Sequence, residues 1–324
     1  MDHDGDNMSP HDKKKTLLDL APATFARLSA EVAAEAARLR GLPEGPGRER
    51  EAGDLVIEEI AASTSLSGAN LDLDEVRALV ERGLAVGDRP LRSYLIVAGY
   101  ADAARWVAAA RRPRPGRPLL RLDDVVEAHA RALRLQPELA PGAWRRTTLP
   151  PFRAGVVPPA FWLVPRETAR FVELFATGPG TESPLLWIAR ALERFDRIRP
   201  FAAGNGRTGR LIGNLLLRRC GLPPFAIRPR DARRYLTSLA RADDGDPWPL
   251  AMLVGRSVLA GLQRLAGAAD APASELVAVA ALADGDERQA LYKAIQRGRL
   301  RVVRRGRSLL TTEAWLADYR ASRS

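Results

Sequence analysis

The chain of 324 residues is long enough for two domains, and its content of 46% hydrophobic residues is sufficient for a packed core. The single cysteine, Cys220, excludes an internal disulfide framework, and no apolar run is long enough to span a bilayer. The formal net charge of +11 favours a polyanionic partner if the positive residues cluster. Because no segment is typical of a signal peptide, we expect a cytoplasmic protein of bacterial type with no membrane partner.

Helical patterns dominate the N-terminal third of the chain. Residues 1–15 are polar and are expected to form a disordered tail, whereas residues 16–110 are expected to form an N-terminal helical region. Apolar residues such as Leu28 and Val32 recur there at helical spacing. Asp72 precedes an amphipathic run and is predicted to be a helix N-cap.

A second helical region comes after a connection rich in proline and arginine at 111–118, and we assign its core to residues 111–267. Within it, the segment 141–163 combines prolines with short extended apolar runs, which predicts a loose β-hairpin or flap. The small residues at 268–274 are typical of a linker to a separate C-terminal unit, 275–324. The predicted fold class is therefore mainly α.

One segment, "RPFAAGNGRTGR", places a Gly-Asn-Gly turn at the start of an apolar helical pattern. Backbone N–H groups at a helix N-terminus carry partial positive charge and suit a phosphate group, and glycines permit positive φ and close approach of a ligand. Two arginines at a spacing of three could clamp phosphate oxygens from one helix face. The candidate phosphate-binding residues are Gly204, Asn205, Gly206, Arg207 and Arg210.

The same segment resembles the signature of the Fic (Fido) family, which reads His-Pro-Phe-x-Asp/Glu-Gly-Asn-Gly-Arg-x-x-Arg. The resemblance covers residues 16–265: "SPLLWIARALERFDRI" resembles the helix that leads into the family loop, and "PGAWRR" resembles the family's Pro-Gly-x-x-Arg. The residues directly after "PGAWRR" resemble the target-docking flap, and "EEIAASTSLSGANLDLDEV" resembles the segment with the self-inhibitory helix. The resemblance implies a Fic helical fold with a short β-hairpin flap.

Proteins of this family usually transfer AMP from ATP to a hydroxyl group of a target protein. In the family, the motif histidine takes the hydroxyl proton, the acidic residue holds Mg²⁺, and the glycines and asparagine bind phosphate oxygens. The last arginine, here Arg210, reaches the γ-phosphate unless a glutamate of the inhibitory helix occupies it. The resemblance thus implies ATP or another nucleotide as ligand and a target protein at the flap, 147–163.

Three departures from the family pattern fall at its chemically decisive positions. Arg199 stands at the histidine position, and a guanidinium group cannot accept a proton at neutral pH. Ala203 replaces the acidic residue, so we expect no Mg²⁺ at the motif. Ser67 stands at the inhibitory glutamate position and cannot form a charged pair with Arg210. We therefore predict a protein that binds a nucleotide or another phosphorylated ligand without the usual AMP transfer.

Two other functions are compatible with the sequence: an active transferase that moves AMP or a phosphate-containing group by altered chemistry, and a DNA-binding regulator with a Fic scaffold. The site could also have decayed, with Arg199 facing solvent or paired with Asp196. A replacement base could come from Asp196 or Glu193, whereas His129 is interpreted as a structural residue and Cys220 as part of the core.

The C-terminal unit resembles a small winged helix-turn-helix of the excisionase type. A short helix at 275–282 and a second helix precede two strands that flank "RRGR", and Thr311 or Thr312 is expected to cap the last helix. The cluster of cations predicts contacts with DNA phosphates, although a basic structural cap is the alternative. The candidate DNA-binding residues are Lys293, Arg297, Arg299, Arg301, Arg304, Arg305 and Arg307.

Overall fold

The computed structural model describes residues 10–153, 155–269, 276–305 and 308–321, and it confirms the predicted mainly helical fold class. None of the helices in these ranges combines the length and apolarity that a membrane crossing requires. The helices of the larger region are α1 (Pro10–Gly41), α2 (Pro46–Ser65), α3 (Leu73–Arg82), α4 (Leu91–Ala109), α5 (Leu122–Leu133), α6 (Val164–Ala176), α7 (Pro184–Ile198), α8 (Asn205–Arg219), α9 (Ala232–Asp243) and α10 (Trp248–Ala269). Short 3₁₀ turns lie at Pro137–Leu139, Phe161–Leu163 and Pro229–Asp231.

The first helix corrects the predicted disordered tail. It begins at Pro10, so residues 10–15 are helical, while residues 1–9 lie outside the described part of the chain. Proline is well accommodated at the first helical position because its missing N–H would have no partner there. Once the amphipathic segment behind it has nucleated a helix, extension by a few polar residues costs little free energy.

Asp72 caps α3, as predicted. Its Oδ1 accepts hydrogen bonds at 2.9 Å from the backbone N–H groups of Asp74 and Glu75. In return, Glu75 Oε2 accepts the N–H of Asp72 at 2.7 Å, which completes a capping box. This cap fixes the place where the chain leaves α2 and turns into α3.

The core of the larger region surrounds α8. The inward residues of this helix, including Leu211, Leu215 and Leu216, are essentially inaccessible to solvent because α2, α4, α5 and α7 pack around it. On the other side of the molecule, α10 packs against α1, α2 and α7. The loop from α7 to α8, residues 199–204, is therefore supported by a packed scaffold on several sides.

The flap contains far less β structure than a regular hairpin. Its only bridge within the described residues is the antiparallel pair Arg153 and Val156. Prolines flank this pair on both sides, and proline cannot donate to a β ladder. These prolines are Pro150, Pro151, Pro158 and Pro159.

The C-terminal unit consists of β1 (Val277–Ala278), α11 (Val279–Leu282), α12 (Gly285–Gln296), β2 (Val303–Arg305), β3 (Ser308–Thr311) and α13 (Glu313–Ala321). The strands form an antiparallel sheet in the order β1-β3-β2, in which Val303 pairs with Leu310. Of the predicted linker, residues 268 and 269 complete α10 and the others lie outside the described ranges.

The C-terminal unit differs from the sequence prediction at its first helix and agrees with it at the cap of its last helix. The predicted helix at 275–282 is wrong in its first half, because Val277 and Ala278 pair with β3 as a short strand. Thr312 caps α13, since its Oγ1 accepts the N–H of Trp315 at 3.1 Å. Residues from α11, α12 and α13 and from the segment after α12 form a small hydrophobic core of their own, which includes Val279, Leu291, Leu300 and Leu316.

Candidate functional site: a cleft at the N-terminus of α8

The loop between α7 and α8 is closed by one side chain. Asn205 Oδ1 accepts the N–H of Phe201 at 3.0 Å, and Asn205 Nδ2 donates to the carbonyl oxygen of the same residue at 2.8 Å. The buried amide of Asn205 is therefore used within the loop and not directed toward a ligand. The first backbone N–H groups of α8 have no partner inside the helix, and this leaves them available to an anion.

Glycine occupies the two glycine positions of the turn for different structural reasons. Gly204 is the N-cap of α8 with φ of +73°, and an added Cβ would lie 2.7 Å from Leu133 Cδ1. Gly206 was also expected to permit positive φ, but it lies inside α8 and has no such φ. An added Cβ there would lie 3.4 Å from Nη1 of Arg210, so this glycine leaves space beside that side chain.

His129 of α5 supports the loop from below and is a structural residue, as interpreted from the sequence. Its Nδ1 accepts the N–H of Gly142 at 2.8 Å, so Nε2 carries the proton and donates to the carbonyl oxygen of Ala203 at 3.1 Å. Burial lowers the pKa of His129 to about 4, which keeps this tautomer neutral. The residue therefore cannot compensate for the missing histidine of the motif at neutral pH from this position.

Arg145, the arginine of "PGAWRR", connects the loop with the flap. Its Nε donates to the carbonyl oxygen of Arg199 at 2.9 Å, while Nη1 donates to that of Thr147 at 2.8 Å and Nη2 to that of Pro159 at 2.5 Å. Its backbone N–H also donates to Pro200. One buried guanidinium group thus fixes the relative positions of the motif loop and both ends of the flap.

Arg210 faces the end of α2. Its Nε donates to Ser63 Oγ at 2.5 Å, and its Nη2 donates to the Ser63 carbonyl oxygen at 2.8 Å and to Ser67 Oγ at 3.4 Å. Ser67, at the position of the family's inhibitory glutamate, therefore contacts the predicted arginine with a neutral hydroxyl group. The positive charge of Arg210 meets no carboxylate in these contacts.

Arg207 is buried one turn earlier in α8, and its Nη1 donates to Gln136 Oε1 at 3.1 Å. Burial, followed by the charge of Arg210, lowers the pKa of Arg207 to about 10, so the side chain remains positive at neutral pH. Two neighbouring buried guanidinium groups repel each other, and a bound anion would relieve this repulsion.

Arg199 ends α7 in the left-handed region with φ of +44°, and its guanidinium group lies 4.0 Å from the ring centroid of Phe152 in the flap. Its Nε is buried and has no hydrogen-bond partner among the described residues. Asp196 does not pair with it, because Asp196 forms an ion pair with Arg153. The alternative of an Arg199–Asp196 pair is therefore not found.

Glu193, the other candidate base, is also engaged. It lies 3.5 Å from Nη1 of Arg197, and burial raises its pKa. Neither Glu193 nor Asp196 is thus a free carboxylate.

Arg199, Arg207 and Arg210 line an open cleft of about 690 Å³, together with Ser67 and Asp196. Mg²⁺ requires oxygen ligands, but Ala203 at the motif's acidic position supplies no side-chain oxygen, and the described residues contain no group of three His, Cys, Asp or Glu side chains that could hold a metal. The residues at the motif therefore do not fit this ion. The cations of the cleft are Arg92, Arg153, Arg199, Arg207 and Arg210.

Sequence reasoning missed several residues of the cleft. Arg92 at the start of α4 and Tyr235 of α9 line it, and no local pattern marks either of them. Ser63 could have been found, because it precedes Ser67 by four residues in the segment that resembles the inhibitory helix. The cations predicted to bind DNA are far along the chain: Lys293, Arg297, Arg299 and Arg301 are exposed, Arg304 and Arg305 have backbone positions in β2, and Arg307 lies outside the described residues.

The larger region is similar in sequence to known proteins. Residues 119–217 match the Fic/DOC family. A protein adenylyltransferase Fic of Nematostella vectensis is 30% identical over 201 residues, which cover 62% of this chain and 46% of that protein. A protein of the same description from Culex quinquefasciatus is 27% identical over 213 residues, covering 64% of this chain and 41% of its own length. The chain thus spans less than half the length of these curated relatives.

Solved structures show the same fold. Fic-1 (residues 134–508) of C. elegans has a TM-score of 0.67 at 24% identity, with 80% of this chain and 78% of that chain covered. A Fic domain containing signaling protein from Bacteroides thetaiotaomicron has a TM-score of 0.67 at 20% identity and covers 75% of this chain and 96% of its own. The larger region thus contains a segment that matches the Fic/DOC family, and it shares the fold of solved Fic proteins.

Proposed function

We propose that the Fic domain binds a nucleotide or another phosphorylated ligand in the cleft. The observation that carries this proposal is the meeting of Arg199, Arg207 and Arg210 with the free N–H groups at the start of α8. None of the three guanidinium groups forms an ion pair with a carboxylate among the described residues. A bound oxyanion would therefore accept hydrogen bonds from the N–H groups at the start of α8 and would also offset the repulsion among the guanidinium groups.

A thermal-shift series with ATP, ADP, GTP, CDP-choline and inorganic phosphate tests this binding. A ligand at 100 times its dissociation constant should stabilise the protein by about 2.7 kcal/mol. Arg210→Met should remove most of the shift, whereas Arg218→Met, an exposed position on the same helix, should leave it unchanged. If no phosphate-bearing compound raises the melting temperature, the cleft is not an anion site.

We further propose that the protein does not carry out metal-dependent AMP transfer. The reasons are the guanidinium group of Arg199 at the position of the base and the methyl group of Ala203 at that of the metal ligand. Purified protein incubated with α-labelled ATP and Mg²⁺ should acquire no label. The double variant Arg199→His, Ala203→Asp should gain some labelling, because the loop and its supports are in place.

A second candidate is a transferase that uses altered chemistry, which the relationship to proteins named adenylyltransferases favours. Mass spectrometry of the purified protein after incubation with ATP distinguishes the two functions. A covalent mass increase that is lost on Asn205→Ala would support the transferase. An unmodified mass, together with a thermal shift, would support the binding function.

For the flap we propose contact with a target protein. Val157 and Trp162 expose 68% and 67% of their surface, and Phe161 packs edge-on against Trp162. A photo-crosslinking residue at position 162 should capture the target in cells. The same residue at position 91, where Leu91 of α4 is 71% exposed, serves as the matched control.

For the C-terminal unit we propose DNA binding through α12 and the arginines at positions 304, 305 and 307. Exposed cations at Lys293, Arg297 and Arg299 support it. Replacing Arg304, Arg305 and Arg307 with glutamine should remove up to about three phosphate contacts. The slope of log affinity against log salt concentration should become correspondingly shallower. An unchanged slope would exclude these three arginines as DNA contacts, and affinity retained without the Fic ligand would favour the scaffold function.

A further inference from the structure

A buried carboxyl group lies behind the proposed anion site. Glu59 and Ser63 lie one turn apart on one face of α2, and Ser67 lies in the turn just after the helix. Of these three residues, only the two serines hydrogen-bond to Arg210. Glu59 is 3% exposed, and its Oε1 accepts the hydroxyl hydrogen of Tyr100 at 2.6 Å. A carboxyl group in such a position stabilises or opposes the charges of its neighbours strongly, because little solvent screens it.

Ser63 joins this carboxyl group to the cleft. Arg210 donates to both oxygens of Ser63, and the Tyr100 hydroxyl group interacts with both Ser63 and Glu59. The resulting chain runs from Glu59 through Tyr100 and Ser63 to Arg210. All four residues come from packed helices, so their relative positions are fixed by the core.

The charged and titratable groups around Glu59 are few. Tyr100 faces it from α4 and Arg210 from α8, where the neutral amide of Asn214 also approaches it. Burial raises the pKa of Glu59 to about 7, against the opposing effects of Tyr100 and Arg210. The pKa of Tyr100 is raised well above its ordinary value by burial, so its hydroxyl group remains a donor.

We propose that the charge of Glu59 sets the affinity of the cleft for oxyanions, an inference that rests on the proposed anion site at Arg210. When Glu59 is neutral, the positive charge of Arg210 is available to an oxyanion. When Glu59 is ionised, it offsets that charge through the low-dielectric interior and weakens anion binding. Glu59 is thus a positioning and charge-setting residue that does not touch the ligand.

A proton can reach Glu59 without passing through the cleft. The residue borders a separate cavity of about 270 Å³ that is otherwise lined mainly by apolar side chains such as Leu55 and Val107. Exposed residues, including Gly53 and Arg218, also border this cavity. Water entering there could exchange protons with Glu59 while an anion occupies the separate cleft at the start of α8.

Calorimetric titration with sulfate tests the inference, because sulfate remains a dianion across the range in which phosphate titrates. Between pH 6 and pH 8 the dissociation constant of the wild-type protein should rise roughly fivefold, as expected when the bound anion raises a pKa of about 7 by about one unit. Glu59→Gln should bind sulfate with nearly constant, high affinity. Glu51→Gln, which changes another buried acid of α2 that pairs with Arg264, should keep the wild-type dependence.

The outcomes separate the two proposals. Equal pH dependence in the wild-type protein and in Glu59→Gln would overturn the role of Glu59 while leaving the anion site intact. No sulfate binding at either pH would refute the anion site itself. If Glu59→Gln does not fold, Tyr100→Phe provides the test: loss of the donor raises the pKa of Glu59 further and should shift the midpoint of the profile to higher pH.

Discussion

The imidazole ring of His129 lies parallel to the ring of Phe201, with 3.6 Å between the ring centroids. Trp144 also stacks on the Phe201 ring, at 5.0 Å between centroids. These contacts join α5, the segment before the flap and the motif loop into one packed unit. Because the histidine also holds the Ala203 carbonyl group, its protonation state affects the stability of the whole loop.

This relationship predicts a loss of stability in acid. The pKa of His129 is about 4 in the folded protein and 6.5 in its ordinary state, so the unfolded chain binds more protons between these values. Stability is therefore fully present above pH 6.5 and decreases as the pH falls toward 4. At pH 4.5 the loss relative to pH 7 should reach about 2.5 kcal/mol.

Urea unfolding of the wild-type protein and of His129→Asn at both pH values measures this contribution. The variant should be less stable at pH 7 and should show a smaller loss on acidification. An equal loss in both proteins would assign the acid sensitivity to other groups.

The two glycines of the turn should respond differently to alanine. Gly204→Ala should destabilise the protein by about 1–3 kcal/mol, because alanine disfavours the left-handed conformation and its Cβ would collide with Leu133. Gly206→Ala should change the free energy of unfolding by less than about 1 kcal/mol, since its backbone is helical. Chemical denaturation of the two variants gives both values, and similar losses would contradict the different roles.

A glutamate at position 67 should restore a charged partner for Arg210. In Ser67→Glu, the new carboxylate can approach the guanidinium group that Ser67 Oγ now contacts at 3.4 Å. The thermal shift produced by phosphate or nucleotide should fall by at least half. Ser65→Glu, at the last residue of α2 and outside the cleft, should retain the full shift, and a loss in both variants would indicate a general charge effect.

Removing the Asn205 side chain, which closes the loop between α7 and α8, should destabilise the folded protein. Asn205→Ala leaves the buried N–H and carbonyl groups of Phe201 without their partner, which costs about 1–3 kcal/mol for each unsatisfied group. Asn214→Ala provides a comparison, because Asn214 braces Phe225 in the same way in the same helix. Thermal unfolding should show similar losses for the two variants, whereas ligand shifts should be impaired mainly by Asn205→Ala.

Several features of this protein are determined by the sequence through local rules. The cap at Asp72 needs only a short polar side chain before a helix and a glutamate three residues later. The left-handed Gly204 and the helix that begins after it are equally local. The chemical conclusions about Arg199 and Ala203 also depend only on residue type, since neither position offers a base or a metal ligand whatever the fold.

The contacts of the arginines could be decided only by the tertiary structure. The sequence placed Arg207 and Arg210 on one helix face, but Gln136 and Ser63, which bind them, lie 71 and 147 residues away. The same holds for the stacking of Arg199 on Phe152 and for Glu59, whose neighbours come from α4 and α8. Hydrogen bonding and burial between distant segments depend on how helices pack, and periodicity within one helix carries no information about that packing.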